Sequence, residues 1–439
     1  MLRRNALCQT FSLLLACLSL TACETLGLAE RDRPRSAIGA PIPSQAQATA
    51  KLTPGSGGTR VAILAPISGS RAEIGQALVQ AARVALETEG APTLDQHDTM
   101  GTAEGAANAA RIAIAAGAGI ILGPLTSAET AAVAPIARAA GVPVLAFTND
   151  AAQAQPGVWP LGVTPAQQVQ RMAVALQAQG KTKLAGLLPD NEFGRALAAG
   201  LTQASAGLGL AEARIRTYPN AAGIAQLNPV VRDIADYANR RGPIEAESRA
   251  ARAAGTAEAR RRSAQISRRG VPPAPFDALL LAEAGENLES IASLLPYYDV
   301  DQPGVRVLGP NLWAAENTGA RHLIGAWYAA PDPANRAAFD QAFIARTSGA
   351  APPAIATIAF DAAAIARVSA PSGFNIATLT RADGFVGASG LLALQMDGHT
   401  RRGLAIFEIQ RGGPQMVEPA PQTLSAPTLS APPLNVPAS

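Results

Sequence analysis

From residue 61 to 147, short runs apolar at every position alternate with longer stretches whose apolar residues recur at helical spacing. Val61-Ala-Ile-Leu-Ala65 is ended by Pro66 and Gly69, and Gly119-Ile-Ile-Leu-Gly123 and Val142-Pro-Val-Leu-Ala-Phe147 share its character. A short run without polar alternation fits a strand covered on both faces, as in a parallel sheet. Between these runs, residues 74–89 set Ile74, Ala77, Leu78, Ala81, Ala82 and Ala85 along one helical face. Residues 102–116 are an Ala-rich helix, and 126–140 a helix with Thr126 or Ser127 as N-cap. The pattern restarts after Pro165, with helices at 167–179, 192–207 and 287–295 and strands at 183–188, 213–218, 276–282 and 305–308. Such alternation predicts an α/β fold with parallel sheets and right-handed crossovers. Two successive units joined near 150–164 form a cleft, with ligand groups at the carboxyl ends of the strands.

The ends of the chain read differently. Arg3 and Arg4 precede an apolar run from Phe11 to Leu20, which is too short to span a bilayer. Leu20-Thr-Ala-Cys23 follows and resembles the bacterial lipobox, which implies that residues 1–22 are a signal peptide and that Cys23 is acylated. Glu24 stands where an aspartate is the usual inner-membrane retention signal, so the outer membrane is favoured. Residues 23–59, rich in Pro, Ser, Gln and Gly, predict a disordered tether, and residues 412–439, with a repeated Thr-Leu-Ser-Ala-Pro, a disordered tail.

Composition narrows the chemistry. A chain of 439 residues is long enough for two lobes, and its aromatic content of 4% suits Ala-rich helices packed on sheets better than an all-β sandwich. The formal charge of +3 drops to about +1 once Arg3 and Arg4 are removed, so nothing calls for a nucleic-acid partner. Cysteine occurs only at 8, 17 and 23, which excludes disulfides, thiolate nucleophiles and Cys-ligated metals from the body. There is no Gly-x-Ser-x-Gly elbow and no phosphate-binding Gly-x-x-x-x-Gly-Lys loop. His97, His322 and His399 are far apart and read as surface residues, although Asp95, His97 and Asp98 follow an expected strand and form a minor acid–base or metal candidate. Asp190 and Glu192 fit a helix start. No enzyme, cofactor or metal site is expected.

Several stretches carry a family resemblance: Val61-Ala-Ile-Leu-Ala-Pro-Ile-Ser-Gly69, Ile121-Leu-Gly-Pro-Leu-Thr-Ser127, Gly141-Val-Pro-Val-Leu-Ala-Phe147, Leu188-Pro-Asp-Asn-Glu-Phe-Gly194, Ala359-Phe-Asp-Ala-Ala363 and Gly384-Phe-Val-Gly-Ala-Ser-Gly390. In order and spacing the chain from 61 to 412 resembles the type I periplasmic binding proteins of the leucine/isoleucine/valine-binding kind. The runs Leu294-Leu-Pro-Tyr-Tyr-Asp299 and Val305-Arg-Val-Leu-Gly309 resemble one branch, the lipoprotein activators of penicillin-binding proteins. The resemblance implies two Rossmann-like lobes crossed three times, the first comprising 60–149 and 332–380, the second 164–325 and 381–411. It also implies a non-catalytic periplasmic lipoprotein that activates a penicillin-binding protein in peptidoglycan synthesis. The alternative is a receptor that delivers a branched-chain or similar amino acid to an ABC permease. Carried over from the receptors, the ligand candidates are Ser68, Ser127, Thr148, Phe193 and Glu283. Helix-start amides at 126–127 suit a carboxylate, Glu283 an ammonium and Phe193 an apolar side chain, but each hydroxyl equally suits capping the helix that follows. The first loop, Ser70-Arg-Ala-Glu73, lacks the aromatic that amino-acid receptors often place there.

Residues 232–270 interrupt the second lobe with ten arginines against five acids. They read first as a solvated helical insertion, and alternatively as a basic surface for anionic lipid or a protein partner.

Overall fold

The computed structural model describes residues 60–220, 222–315, 321–347 and 349–424. Cys23, the signal, the tether and the end of the tail lie outside the described residues.

The first sheet has five parallel strands in the order Thr93–Asp98, Arg60–Ala65, Ala118–Leu122, Val144–Ala146, Val158–Pro160. Alternate residues of its inner strands feed two separate cores. Val61, Ile63 and Leu122 pack with helix Ala72–Leu86, whereas Ala62, Leu64 and Ile121 pack with helices Ala103–Ala115 and Ser127–Ala139. This two-sided burial is why those strands are apolar at every position. The first core also takes in Phe339 and Phe343 of helix Ala337–Arg346 and the small face of Ala356–Ser369, so the chain returns to this lobe late.

The second sheet has seven strands, in the order Gly413–Glu418, Ala405–Gln410, Trp327–Ala330, Arg306–Gly309, Ala278–Leu281, Leu184–Pro189, Arg214–Tyr218. The last five run parallel, and Ala405–Gln410 is antiparallel to both its neighbours. Helices Pro165–Ala178 and Glu192–Gly207 cover one face, and Ile224–Ile234 and Gly285–Leu294 the other. A third, antiparallel sheet (Phe385–Gly387, Gly390–Leu394, Thr400–Arg402) sends Phe385, Leu392 and Leu394 into the core of the first lobe.

The boundaries differ from the expected ones in five places. Val158–Pro160 still belongs to the first sheet, beyond the expected end at 149, because Val158 and Trp159 are fully buried there. Trp327–Ala330 belongs to the second sheet, beyond 325. Of the 381–411 segment only the part from Leu404 joins the second lobe, because the apolar residues of the third sheet face the other core. Gly413–Glu418 is a strand and not the start of a disordered tail. Its single proline sits on a sheet edge, where a missing N–H is tolerated, and Met416 packs on the core. Asp95, His97 and Asp98 lie within edge strand Thr93–Asp98 and do not follow a strand. Its partly exposed, polar positions give no apolar run to read.

Candidate functional site

Three of the five ligand candidates sit beyond the carboxyl ends of strands in the first sheet. Ser68 follows Arg60–Ala65 and is held to the neighbouring strand by Asp98, whose Oδ1 accepts the amides of Ile67 (2.9 Å), Ser68 (3.3 Å) and Met100 (2.8 Å). Partial burial works to raise the Asp98 carboxyl, but the Ser68 hydroxyl and these amides outweigh it and hold the group below the ordinary carboxylate range. Asp98 is thus committed to the turn. Burial lowers the neighbouring His97 against the pull of Asp95, and Asp95 itself is paired with Arg60 at 2.7 Å. Among the described residues no three or more His, Cys, Asp or Glu side chains come together in a group that could hold a metal ion.

Ser127 opens its helix behind a tight turn. A Cβ on Gly123, whose φ is +88°, would lie 2.3 Å from the Leu64 carbonyl oxygen, so the loop can pass this close to the central strand only with glycine there. Thr126 is the N-cap. The buried Glu129 carboxylate accepts both the Thr126 amide (2.9 Å) and its hydroxyl (2.8 Å), closing a capping box. The first helical turn therefore already holds an acid, which opposes a second carboxylate from a ligand. Ser127 and Thr148 are brought together, hydroxyl to hydroxyl at 3.0 Å, and Thr148 also accepts the Asp150 amide at 3.1 Å.

The other two candidates belong to the second lobe. Glu283 follows strand Ala278–Leu281. Its Oε1 accepts the Tyr218 hydroxyl at 2.7 Å and its carbonyl accepts the indole N–H of the buried Trp313 at 2.9 Å. Burial and then Glu283 push the Tyr218 hydroxyl well above the ordinary phenol range, so it stays a donor to that carboxylate. Phe193 is the second residue of a helix capped by Asn191, and its half-buried ring packs on the lobe's own core. Among the described residues no hydrogen bond or ion pair joins Ser68, Ser127 or Thr148 to Phe193 or Glu283.

A buried polar cluster lies where the chain passes between lobes, and none of its residues is among the candidates read from the sequence. Asp361, 2% exposed, accepts the amides of Ala388 (2.6 Å) and Ser389 (3.2 Å) and the Ser389 hydroxyl. Ser389 in turn accepts Arg402 Nη1 at 2.6 Å, and Arg402 Nη2 donates to the carbonyl of Leu161. Nearby, Trp159 Nε1 donates to the Gln395 carbonyl (2.7 Å), and Gln167 Nε2 to that of Thr400 (2.6 Å). Helix Ala356–Ser369 is thereby tied to the 388–389 turn and to two chain crossings. A Cβ on Gly387 would lie 2.2 Å from Asp361 Oδ1, so glycine is what lets the turn close on the carboxylate. In the sequence, Asp361 and Ser389 fall within the family-like stretches 359–363 and 384–390.

Two of the cavities among the described residues lie away from the five candidates. One, of about 530 Å³, lies at the base of the helical insertion between Asn228, Arg232, Asp236, Tyr237 and Tyr297. The other, of about 220 Å³, lies between Asp361, Arg367, Arg381 and Phe385. Neither is lined by any of the five candidates.

The family model described as periplasmic binding protein matches residues 58–414. No curated protein matches the chain. Among solved structures, a putative branched-chain amino acid ABC transporter from Rhodospirillum rubrum is similar at a TM-score of 0.61 and 17% identity, over 82% of this chain and 99% of that one. The LpoA C-domain from Haemophilus influenzae, described as a regulator of PBP1A, is similar at 0.56 and 16%, over 82% and 99%. Full-length LpoA from the same organism gives 0.57 and 16%, and there the match spans only 59% of the other chain. At such identities the likeness is one of fold. The family match covers most of the chain and the two α/β lobes agree with it, so the chain belongs to the periplasmic binding protein family.

Proposed function

We propose that this protein is a non-catalytic periplasmic lipoprotein, anchored through Cys23, that binds a penicillin-binding protein and raises its activity in peptidoglycan synthesis. The observation that carries this reading is that polar groups expected to hold a ligand are engaged with the protein itself: Ser127 with Thr148, and Glu283 with Tyr218. Thr148 and Tyr218 are buried, so a ligand that displaced either from its partner would strand it, at about 1–3 kcal/mol for each group left unpaired. The lipobox, the activator-like runs at 294–299 and 305–309 and the similarity to the LpoA C-domain support it. Activation would come from binding the synthase's active conformation more tightly than its resting one. The test is glycan polymerisation and cross-linking by the bifunctional synthase of the same cell, with and without the lipoprotein. A several-fold rise, saturating with lipoprotein, is expected; an unchanged rate contradicts the reading.

The alternative, an amino-acid receptor for an ABC importer, draws on the Rhodospirillum rubrum similarity and on the position of Ser68, Ser127 and Thr148 beyond strand ends. The Ser127–Thr148 pair uses one of its two hydroxyl protons, and the other would donate to a ligand carboxylate.

A further inference from the structure

The insertion of the second lobe is a helical hairpin, Tyr237–Arg252 followed by Ala257–Ser267. Its helices meet over small residues. The Ser248 hydroxyl lies 2.9 Å from that of Ser263 and 2.7 Å from that of Ser267, and the buried Ala259 and Ile266 complete the seam. Arg240 fixes the base, its buried guanidinium donating to the carbonyls of Pro272, Ala235, Tyr298 and Asp299. Near the base, Arg241 pairs with Glu245 and Arg269 with Glu247.

The far half is different. From 249 to 262 the chain carries Arg249, Arg252, Arg260, Arg261 and Arg262 against one acid, Glu258. All five arginines are exposed, and among the described residues none forms an ion pair. A helix turns about 100° per residue, so three consecutive arginines face widely separate directions rather than one pocket. The exposed apolar residues among them are alanines alone. A stereospecific protein interface draws its energy from buried aromatic or aliphatic anchors, and this tip has none. Diffuse positive charge without an anchor matches a planar, fluid array of negative charge.

We propose that the tip of this hairpin binds the anionic phospholipid headgroups of a bilayer surface. Basic side chains near such a surface add to the attraction one by one, and the attraction decays within a Debye length, roughly 8 Å at physiological salt. The contact would orient the second lobe against the membrane. It does not depend on acylation of Cys23 or on activation of a synthase, so it stands or falls separately from the function proposed above.

The test uses the chain from residue 24 onward, which carries no acyl group and keeps every described residue. Co-sedimentation is measured with phosphatidylcholine vesicles, with and without phosphatidylglycerol. Binding is expected only to the mixed vesicles and should fall steeply with added salt. Changing all five arginines together, R249Q/R252Q/R260Q/R261Q/R262Q, should weaken it by roughly tenfold or more. The corresponding five-lysine variant should still bind, because a diffuse surface reads charge and not the guanidinium fork. Both variants should melt as the parent does, since the five side chains are exposed. Equal binding to both vesicle types, or none to either, overturns the proposal, as does a glutamine variant that binds like the parent. If lysine fails to restore binding, the proposal fails too, because guanidinium-specific recognition of an acidic protein would then explain the patch better.

Discussion

Asp361→Asn is expected to destabilise the folded chain by about 3–5 kcal/mol, the range for breaking a buried charged pair from one side. The carboxylate accepts two amides and a hydroxyl, and the new amide nitrogen would meet donors with another donor. Arg402, 8% exposed, would also lose the buried negative charge nearest its guanidinium. Burial pushes the Asp361 carboxyl up against the pull of Arg402 and its three donors, so the group is held by its partners and not by water. The double variant Asp361→Asn/Arg402→Met should recover part of the loss, since it removes the stranded charge. Urea unfolding followed by two probes reports both, with each lobe's transition resolved if the lobes unfold separately. An unchanged midpoint for Asp361→Asn would show that the cluster contributes nothing to holding the crossings.

The second large effect concerns location. On the lipoprotein reading, Cys23→Ala removes the acyl attachment point and should move the protein from the membrane fraction to the soluble or precursor pool nearly completely. The reason is additive: each buried methylene contributes about 0.8 kcal/mol, so several chains on one residue dominate any surface attraction. Fractionation with immunodetection reads this directly. Undiminished membrane association of the variant, with the hairpin arginines also replaced, would contradict anchoring at Cys23.

How much of this was legible depended on burial. Val61 to Ala65 could be read because the strand is covered on both faces and is therefore apolar throughout. Thr93–Asp98 and Gly413–Glu418 could not, because edge strands leave polar and partly exposed side chains that break no rule for a loop. The capping residues Thr126 and Asn191 are local signals acting across one helical turn, and the sequence narrows the first of them to Thr126 or Ser127. The Asp361 cluster was not legible, since its members are brought together only by packing of the third sheet against the first lobe. For the candidate site, motif resemblance pointed to Ser127, Thr148 and Glu283, which lie beyond the carboxyl ends of strands. It could not show that Thr148 and Tyr218 would already occupy two of them, because those partners lie 21 and 65 residues away.

On the function proposed, Ser127, Thr148 and Glu283 serve the protein's own structure and not a free amino acid. This is tested most directly by thermal unfolding of the mature chain in the presence of each of the twenty amino acids. A ligand at a hundredfold excess over its dissociation constant would stabilise the fold by about 2.7 kcal/mol and raise the melting temperature visibly. A flat response to all twenty is expected. A saturable rise with leucine or a similar amino acid, lost in Ser127→Ala and in Glu283→Ala, would contradict it and establish a receptor.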